Sequence, residues 1–246
     1  MKYKIIGIFI IFLILMKDNI YASSENLLTI GRFPSLANAN LCEKVLLNIY
    51  NQVNIKIKVV ALPGRRSVIE STKGNIDGEV CRDFDFGKDY PNLKRIKYPI
   101  NYIKLSVFSD KKNIEVSPFK SLAKYRIGLI KGVLDLEKLT ANFPQLTIVN
   151  SVDQLIKMLT ENRIDLFITS DLNAKVVINK MGLEKKIYEL KPAIIENYPL
   201  YHYLQKKHNE KIILIENKLK QMQTSGELQS LIKNYAKEEL EKSLIK

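Results

Sequence analysis

Tryptophan is absent from this chain, and histidine and cysteine occur only twice each. The two histidines, His202 and His208, have no acidic or thiol cluster beside them at metal-ligand spacing, which argues against a zinc site. Both read as parts of a C-terminal helix. There is no Gly-x-Ser-x-Gly elbow, no Walker loop and no dinucleotide fingerprint, so the chemistries that rest on those motifs have no support. No cofactor is expected. Past the first residues, no apolar run approaches the ~18 residues a membrane span requires. Long blocks of consecutive basic residues are missing as well. That matters because the formal net charge is +13, and a basic balance otherwise suggests nucleic acid or an anionic membrane surface. Lysine supplies 32 of the 39 positive residues, scattered among isoleucine and asparagine as on solvated faces. Nucleic acid is therefore not an expected partner.

What is present begins at the N-terminus. Met1 to Lys4 is basic, Ile5 to Met16 is a twelve-residue apolar run, and Ile20-Tyr21-Ala22 places a small residue ahead of Ser23. This is the layout of a secretory signal peptide, too short for a comfortable membrane span. Residues 1–22 are expected to be removed on export to the periplasm, which takes away three Lys and one Asp and leaves +11. No cysteine lies at the cleavage point, so nothing suggests a lipid anchor. Export would place Cys42 and Cys81 in an oxidising space. They either pair there or persist as two partly buried thiols; the sequence leaves both open.

The remaining length suits one large domain or two lobes of roughly 100 residues each. Two fifteen-residue stretches, Arg66–Val80 and Gln154–Ile168, are distorted copies of one another. Each reads as an amphipathic helix, a polar turn (Lys73-Gly74-Asn75; Glu161-Asn162-Arg163) and a short apolar strand opened by Ile-Asp. Duplicated units of this kind indicate repeated supersecondary structure, here one helix-to-strand unit in each of two α/β lobes. Cys81-Arg82-Asp83 follows the first strand and Thr169-Ser170-Asp171 the second. Ligands of open α/β sheets sit outside the carboxyl ends of the strands, so a cation from one lobe and an anion from the other would face a shared cleft. Further along, Asn38 or Asn40 can cap a helix whose Leu41, Val45, Ile49 and Val53 repeat at 3.6-residue spacing. Pro192 to Pro199 reads as a connector, Tyr201 onward as mostly helix, and Lys237 to Lys246 as a charged, fraying tail. The expected division is lobe 1 from 23–102 plus 198–246, and lobe 2 from 103–197, with crossings near Tyr102 and Asn197.

Several segments resemble a known family. Leu62-Pro-Gly-Arg-Arg-Ser67, Gly74-Asn-Ile-Asp-Gly-Glu-Val-Cys-Arg82 and Tyr90-Pro-Asn-Leu93 are similar to the first lobe of family 3 extracellular solute-binding proteins. Arg126-Ile-Gly-Leu-Ile-Lys-Gly-Val133, Tyr201 to His208 and Ser225-Gly-Glu-Leu228 extend the resemblance from about Leu28 to Tyr235. It implies a two-lobed periplasmic-binding-protein fold (type II), each lobe a mostly parallel sheet flanked by helices, closing around a polar amino acid or similar small solute. Some members deliver the solute to an ABC-transporter permease, and a few relatives are enzymes. In amino-acid binders of the family an arginine of the first lobe clamps the α-carboxylate and an acid of the second takes the ammonium. By order and repeat position these would be Arg82 and Asp171 here; an ungapped count puts Ser170 at the ammonium position.

The candidate ligand-binding residues are thus Arg82, Asp171, Ser170, Phe33, Arg66, Gly132, Val133 and Tyr102. Arg82 can donate two parallel hydrogen bonds to a carboxylate or form an ion pair with Asp83 or Asp85. Asp171 can receive an ammonium or cap the helix starting at Leu172. Phe33 can stack on the solute or lie in an exposed loop. Arg66 reaches the cleft from a helix start or remains solvated. Gly132 and Val133 offer backbone N–H groups at a helix start. Tyr102 lines the cleft or packs the crossing. The expectation is a monomeric, non-enzymatic, exported solute-binding protein. The alternatives are a dehydratase-like exported enzyme using Glu79, Asp83 or Asp85 as acid–base groups, or a sensor that has lost its solute.

Overall fold

Both copies of the repeat fold as helix, turn and strand. In this computed structural model, which describes residues 27–34 and 36–245, the first copy is helix α2 (Gly64–Lys73) with strand β3 (Gly78–Arg82), and the second is α5 (Val152–Thr160) with β8 (Leu166–Ser170). The signal-peptide reading lies outside the described residues. Helix α5 buries Val152, Leu155, Ile156 and Leu159, one stripe at helical spacing, and Ser151 caps it by accepting from the Gln154 N–H. Each helix ends beside a residue in the left-handed region, Gly74 (φ 88°) in one copy and Asn162 (φ 56°) in the other. The duplicated Ile-Asp has a shared structural role. Asp77 exchanges backbone and side-chain bonds with Thr29, its N–H reaching Thr29 O at 2.7 Å and its Oδ2 accepting from Thr29 N at 2.9 Å. Asp165 does the same with Arg126, at 2.8 and 2.9 Å. In each lobe the aspartate ties the repeat strand to the start of its parallel neighbour.

Those neighbours are β1 (Leu27–Arg32) and β6 (Ile127–Ile130). With β2 (Lys56–Ala61) the first lobe has three parallel strands in the order β2-β1-β3. With β7 (Leu146–Val149) the second mirrors them as β7-β6-β8. Two antiparallel strands join the halves, β5 (Asn101–Ser109) and the eighteen-residue β9 (Tyr188–Gln205). β9 pairs with β5 and, further along, with β3 and with β4 (Leu93–Arg95), so one path runs β2-β1-β3-β9-β5-β8-β6-β7. Tyr102 lies opposite Pro199 and Ile103 opposite Tyr198 in this ribbon. β9 replaces the connector expected over Pro192–Pro199 and, over Tyr201–Gln205 alone, the start of the stretch expected to be mostly helix, which is helical from Asn209. Its last five residues, Tyr201–Gln205, are buried between neighbouring strands. The register shifts of its pairing with β5, between Ile103 and Leu105 and between Leu105 and Val107, accommodate an irregular sequence that reads as a loop.

Helix α1 (Ala37–Gln52) begins after Leu36 with no side-chain cap, so Asn38 is not the cap expected of it. α1, β1 and β3 share one core with α7 (Asn209–Ser225) and the start of α8 (Glu227–Leu244). Helix α8 is continuous over the segment expected to fray. Its Glu238 and Glu239 both lie 2.9 Å from Lys44 on α1, and its Ser243 accepts from Asn179 on α6 (Asp171–Lys180). Cys42 and Cys81 are joined as a disulfide, Cα–Cα 6.3 Å, linking α1 to β3. No helix among the described residues is long and apolar enough to cross a membrane.

His202 is on β9, not on a helix, and is fully buried. Its Nδ1 lies 2.7 Å from the Glu79 carbonyl oxygen, which can only accept, so Nε2 is left to accept from Tyr50 Oη at 2.8 Å. Burial depresses this imidazole to about 4. The unfolded chain binds the proton below about 6.5 and the folded one only below about 4. Stability should therefore fall as pH drops from about 6.5 toward 4, by up to ~1.4 kcal/mol per pH unit. Urea unfolding at pH 7 and pH 5 should show a smaller pH-dependent loss in His202→Gln than in the parent; equal losses would contradict the assignment.

Candidate functional site: the cleft between the lobes

The carboxyl ends of β1, β3, β6 and β8 converge on one cleft of about 530 Å³. Residues at or just past all four strand ends line it: Arg32 and Phe33, Val80 to Asp83, Gly132 to Leu136, and Thr169 with Ser170. The crossing ribbon supplies its back wall through Ile103, Leu105, Ile195, Tyr198 and Leu200. The volume is in the range of small-molecule sites, and most of the wall is hydrocarbon. Phe33 sits at the seam of the lobes. A Cβ added to Gly64 would come within 2.7 Å of the Phe33 ring and 3.1 Å of Gly132 O, so the backbones meet there only because Gly64 has no side chain, while Gly132 is called for by its left-handed φ of 85°.

Of the eight sequence candidates, Phe33, Arg82, Gly132, Val133 and Ser170 line the cleft, and Asp171, Arg66 and Tyr102 do not. Asp171 opens helix α6 and pairs with Lys175 at 3.2 Å, serving the helix start. Arg66 is solvated, its side chain 70% exposed. Tyr102 is 45% exposed on the ribbon. The polar groups that do reach the cleft are largely used by the protein itself. Arg82 pairs with Glu79, and not with Asp83 or Asp85: Nη2 and Nε donate to Glu79 Oε2 at 2.7 and 3.0 Å. Glu79 is buried and also accepts from Ser67 (2.8 and 2.9 Å) and Ser71 (2.8 Å). The Gly132 N–H donates to Glu137 Oε1 at 2.6 Å, and Val133 N to Ile130 O. Ser170 caps α6 by accepting from Asn173 N, and also accepts from Asn38 Nδ2, while Asn38 N donates to Asn173 Oδ1 at 2.9 Å. Asn38 thus joins α1 of the first lobe to α6 of the second.

Outside the eight ligand candidates, the lining includes Asp83, named above only as an acid–base alternative, Asn38, named only as a helix cap, and Asp135 and Tyr198, which the sequence did not single out. Tyr198 Oη donates to Asp135 Oδ2 at 2.6 Å. Burial, reinforced by the negative charge of Asp135, pushes the Asp83 carboxyl up to about 6. Tyr198 is raised by burial and by its bond to Asp135. Asp83 carried a signal, since it is the position in the first copy that matches Asp171. Asp135 and Tyr198 carried none, because each depends on how α4 (Leu134–Leu139) and β9 are laid against one another.

No protein-family model matches the chain. An uncharacterized protein of Shewanella oneidensis is 25% identical over 190 residues, covering 75% of this chain and 71% of that protein. The amino acid ABC transporter substrate-binding protein AbpA of Streptococcus pneumoniae, solved with L-arginine, superposes with a TM-score of 0.69 at 14% identity, over 88% of this chain and 97% of that one. The fold is that of the periplasmic binding proteins. The VFT2 domain of Bordetella pertussis BvgS superposes with a TM-score of 0.67 at 10% identity, over 89% and 97% of the two chains. At these identities the structural likeness concerns the fold.

Removing one member of a buried ion pair strands the other. Glu79→Ala should destabilise by about 3–5 kcal/mol, against within ~0.5 kcal/mol for Arg66→Ala, both read from denaturant midpoints. Asp83 behaves oppositely. Its folded pKa lies above the usual carboxylate value, so the folded state holds a proton the unfolded one has released, and ionisation works against folding as pH rises from about 4 to 6. Allowing for partial solvent access, Asp83→Asn should stabilise by about 1–2 kcal/mol at pH 8 and by little at pH 4. A destabilised variant at pH 8 would refute this.

Proposed function

We propose that this protein is an exported binding protein that captures a small solute between its lobes and closes by motion about the β5–β9 ribbon. The observation that carries this is the cleft itself, walled by residues past the parallel strands of both lobes and backed by the two strands that join them. The proposed division is lobe 1 from 23–102 with 198–246, and lobe 2 from 103–197. Direct ties across the cleft mouth are Arg65–Glu137 and Lys138–Asp89, each at 2.9 Å and each involving an exposed lysine or arginine. Such exposed pairs contribute ~0–1 kcal/mol, small enough for a bound solute to shift the balance at the mouth, while the buried bonds of Asn38 to Ser170 and Asn173 keep the lobes joined at α1 and α6. A solute burying about 150 Å² of hydrocarbon against the walls would gain roughly 4 kcal/mol. The amino-acid binders that share the fold put amino acids among the candidate solutes, with the periplasm as location, a monomer as working unit and an ABC permease as candidate partner. The chain is read as a binder and not an enzyme, family 3 membership resting on the motifs quoted above.

One observation favours a second reading. A carboxyl group raised to about 6 beside another acid is the state of a general acid or base, as an exported dehydratase-like enzyme would need.

A thermal-shift screen of the mature chain with amino acids, amines and small carboxylates separates these readings. A solute at ~100 times its Kd should stabilise by about 2.7 kcal/mol, and Ile195→Trp, which fills the cleft, should abolish that shift. Product formation from the hit would establish the enzyme. Silence across the library, or a shift that survives Ile195→Trp, would defeat capture in the cleft.

A further inference from the structure

The charges lining the cleft do not cancel. Each of its cations has an anion of the protein at hand: Arg32 lies 2.6 Å from Glu43, Arg82 2.7 Å from Glu79 and Lys138 2.9 Å from Asp89. Asp83 and Asp135 also line it, and among the described residues neither makes an ion pair. Asp83 accepts from the Asp85 N–H at 2.9 Å and Asp135 from the Tyr198 hydroxyl, both neutral donors. Lys138 is near enough to feel both carboxylates, yet its ammonium is bonded to Asp89 on the outside. With the three pairs neutralised, the cleft is left with two carboxylates, one from each lobe.

The groups that would receive a solute's carboxylate are meanwhile consumed. The Arg82 guanidinium is turned onto Glu79, Glu137 occupies the Gly132 amide, and Ser170 is shared between Asn38 and Asn173. A second, independent line of observation is the wall. Val133, Leu105 and Ile195 present hydrocarbon and Phe33 an aromatic ring, whereas the buried Phe86 ring is already taken by the Arg82 guanidinium, 5.3 Å from its centre. Hydrocarbon and aromatic surface around an uncompensated negative charge suits a cation with an apolar body.

We propose that the cleft selects an organic cation, an amine or guanidinium on a hydrocarbon chain, held between Asp83 of the first lobe and Asp135 of the second, and that an α-carboxylate on the solute hinders binding. This rests on the interlobe-capture reading above and names its solute class. The cation would stand between carboxylates from opposite lobes, so it replaces their repulsion with two attractions that exist together only when the lobes are closed. That is the differential affinity closure requires. The raised pKa of Asp83 agrees, since burial and, second to it, the charge of Asp135 both disfavour its ionised form, which a cation between the two would favour.

Matched compounds that differ only by the carboxylate provide the test. Titration calorimetry of the mature chain at pH 8 should show agmatine binding at least tenfold more tightly than arginine, and cadaverine at least tenfold more tightly than lysine. Asp83→Asn and Asp135→Asn should each weaken agmatine at least tenfold, whereas Asp171→Asn, outside the cleft, should not. Arginine or lysine binding as well as its decarboxylated partner would overturn the proposal, as would full agmatine affinity in Asp83→Asn. If the carboxylated compounds bind and Ile195→Trp abolishes their binding, the solute class is wrong and capture in the cleft stands. Heat from none of the four compounds overturns the solute class, and capture itself is then decided by the wider screen with Ile195→Trp.

Discussion

The buried bond between Glu79 and Arg82 sets the terms for the rest of this site. Glu79 is 1% exposed and would be untenable as a lone charge. Two serines of α2 and the guanidinium of Arg82 satisfy it, which fastens the repeat helix to its strand and turns the one deeply placed arginine of the first lobe inward. The arginine side chain is 10% exposed as a result. It closes the first-lobe wall, and its charge is spent before any solute arrives. The electrostatics of the cleft then pass to the acids that lack such a partner. One buried pair thus decides both how the first lobe is held together and which sign of charge the gap presents.

The second constraint is mechanical. Among the described residues only β5 and β9 carry the sheet from one half to the other, while the apolar cores meet on the helix side, where Leu172 and Val176 of α6 join the first-lobe core and Leu36 and Ala39 join the second-lobe core. Irregular register in that ribbon places its softest pairing next to the cleft. On the far side, α8 leans on α1 through Lys44 and on α6 through Ser243, so the C-terminal helix touches both lobes. The proposed motion of one lobe against the other would therefore be constrained on two sides. Weak exposed ion pairs at the mouth set no large barrier to it.

Much of this was legible in the residues. The duplicated helix-turn-strand units fold as read, because periodicity and turn chemistry are local properties, and the strand ends they predict do converge on the cleft. The role of the paired aspartates was hidden, since Asp77 and Asp165 act on strands that precede them by about 40 residues or more. β9 was misread because Pro192 and Pro199 signal a loop locally, whereas burial of Tyr203, Leu204 and His202 between neighbouring strands is a tertiary effect. Arg82 was correctly placed beside the cleft, with its partner misassigned: an i,i+3 neighbour on a strand ordinarily points to the other face. The irregularity in β3 between Glu79 and Arg82 brings the two together. Asp135 and Tyr198 belong to segments 63 residues apart, and no spacing rule could join them.

The central claim is that the lobes move together on a solute held between them, and a distance across the mouth tests it most directly. Spin labels on cysteines replacing exposed Lys88 of the first lobe and Lys131 of the second report that distance. The account predicts a broad distribution that narrows and shortens when a stabilising solute is added, and no such change in Ile195→Trp. A distribution that ignores the solute, or that shortens equally in the filled-cleft variant, would contradict it.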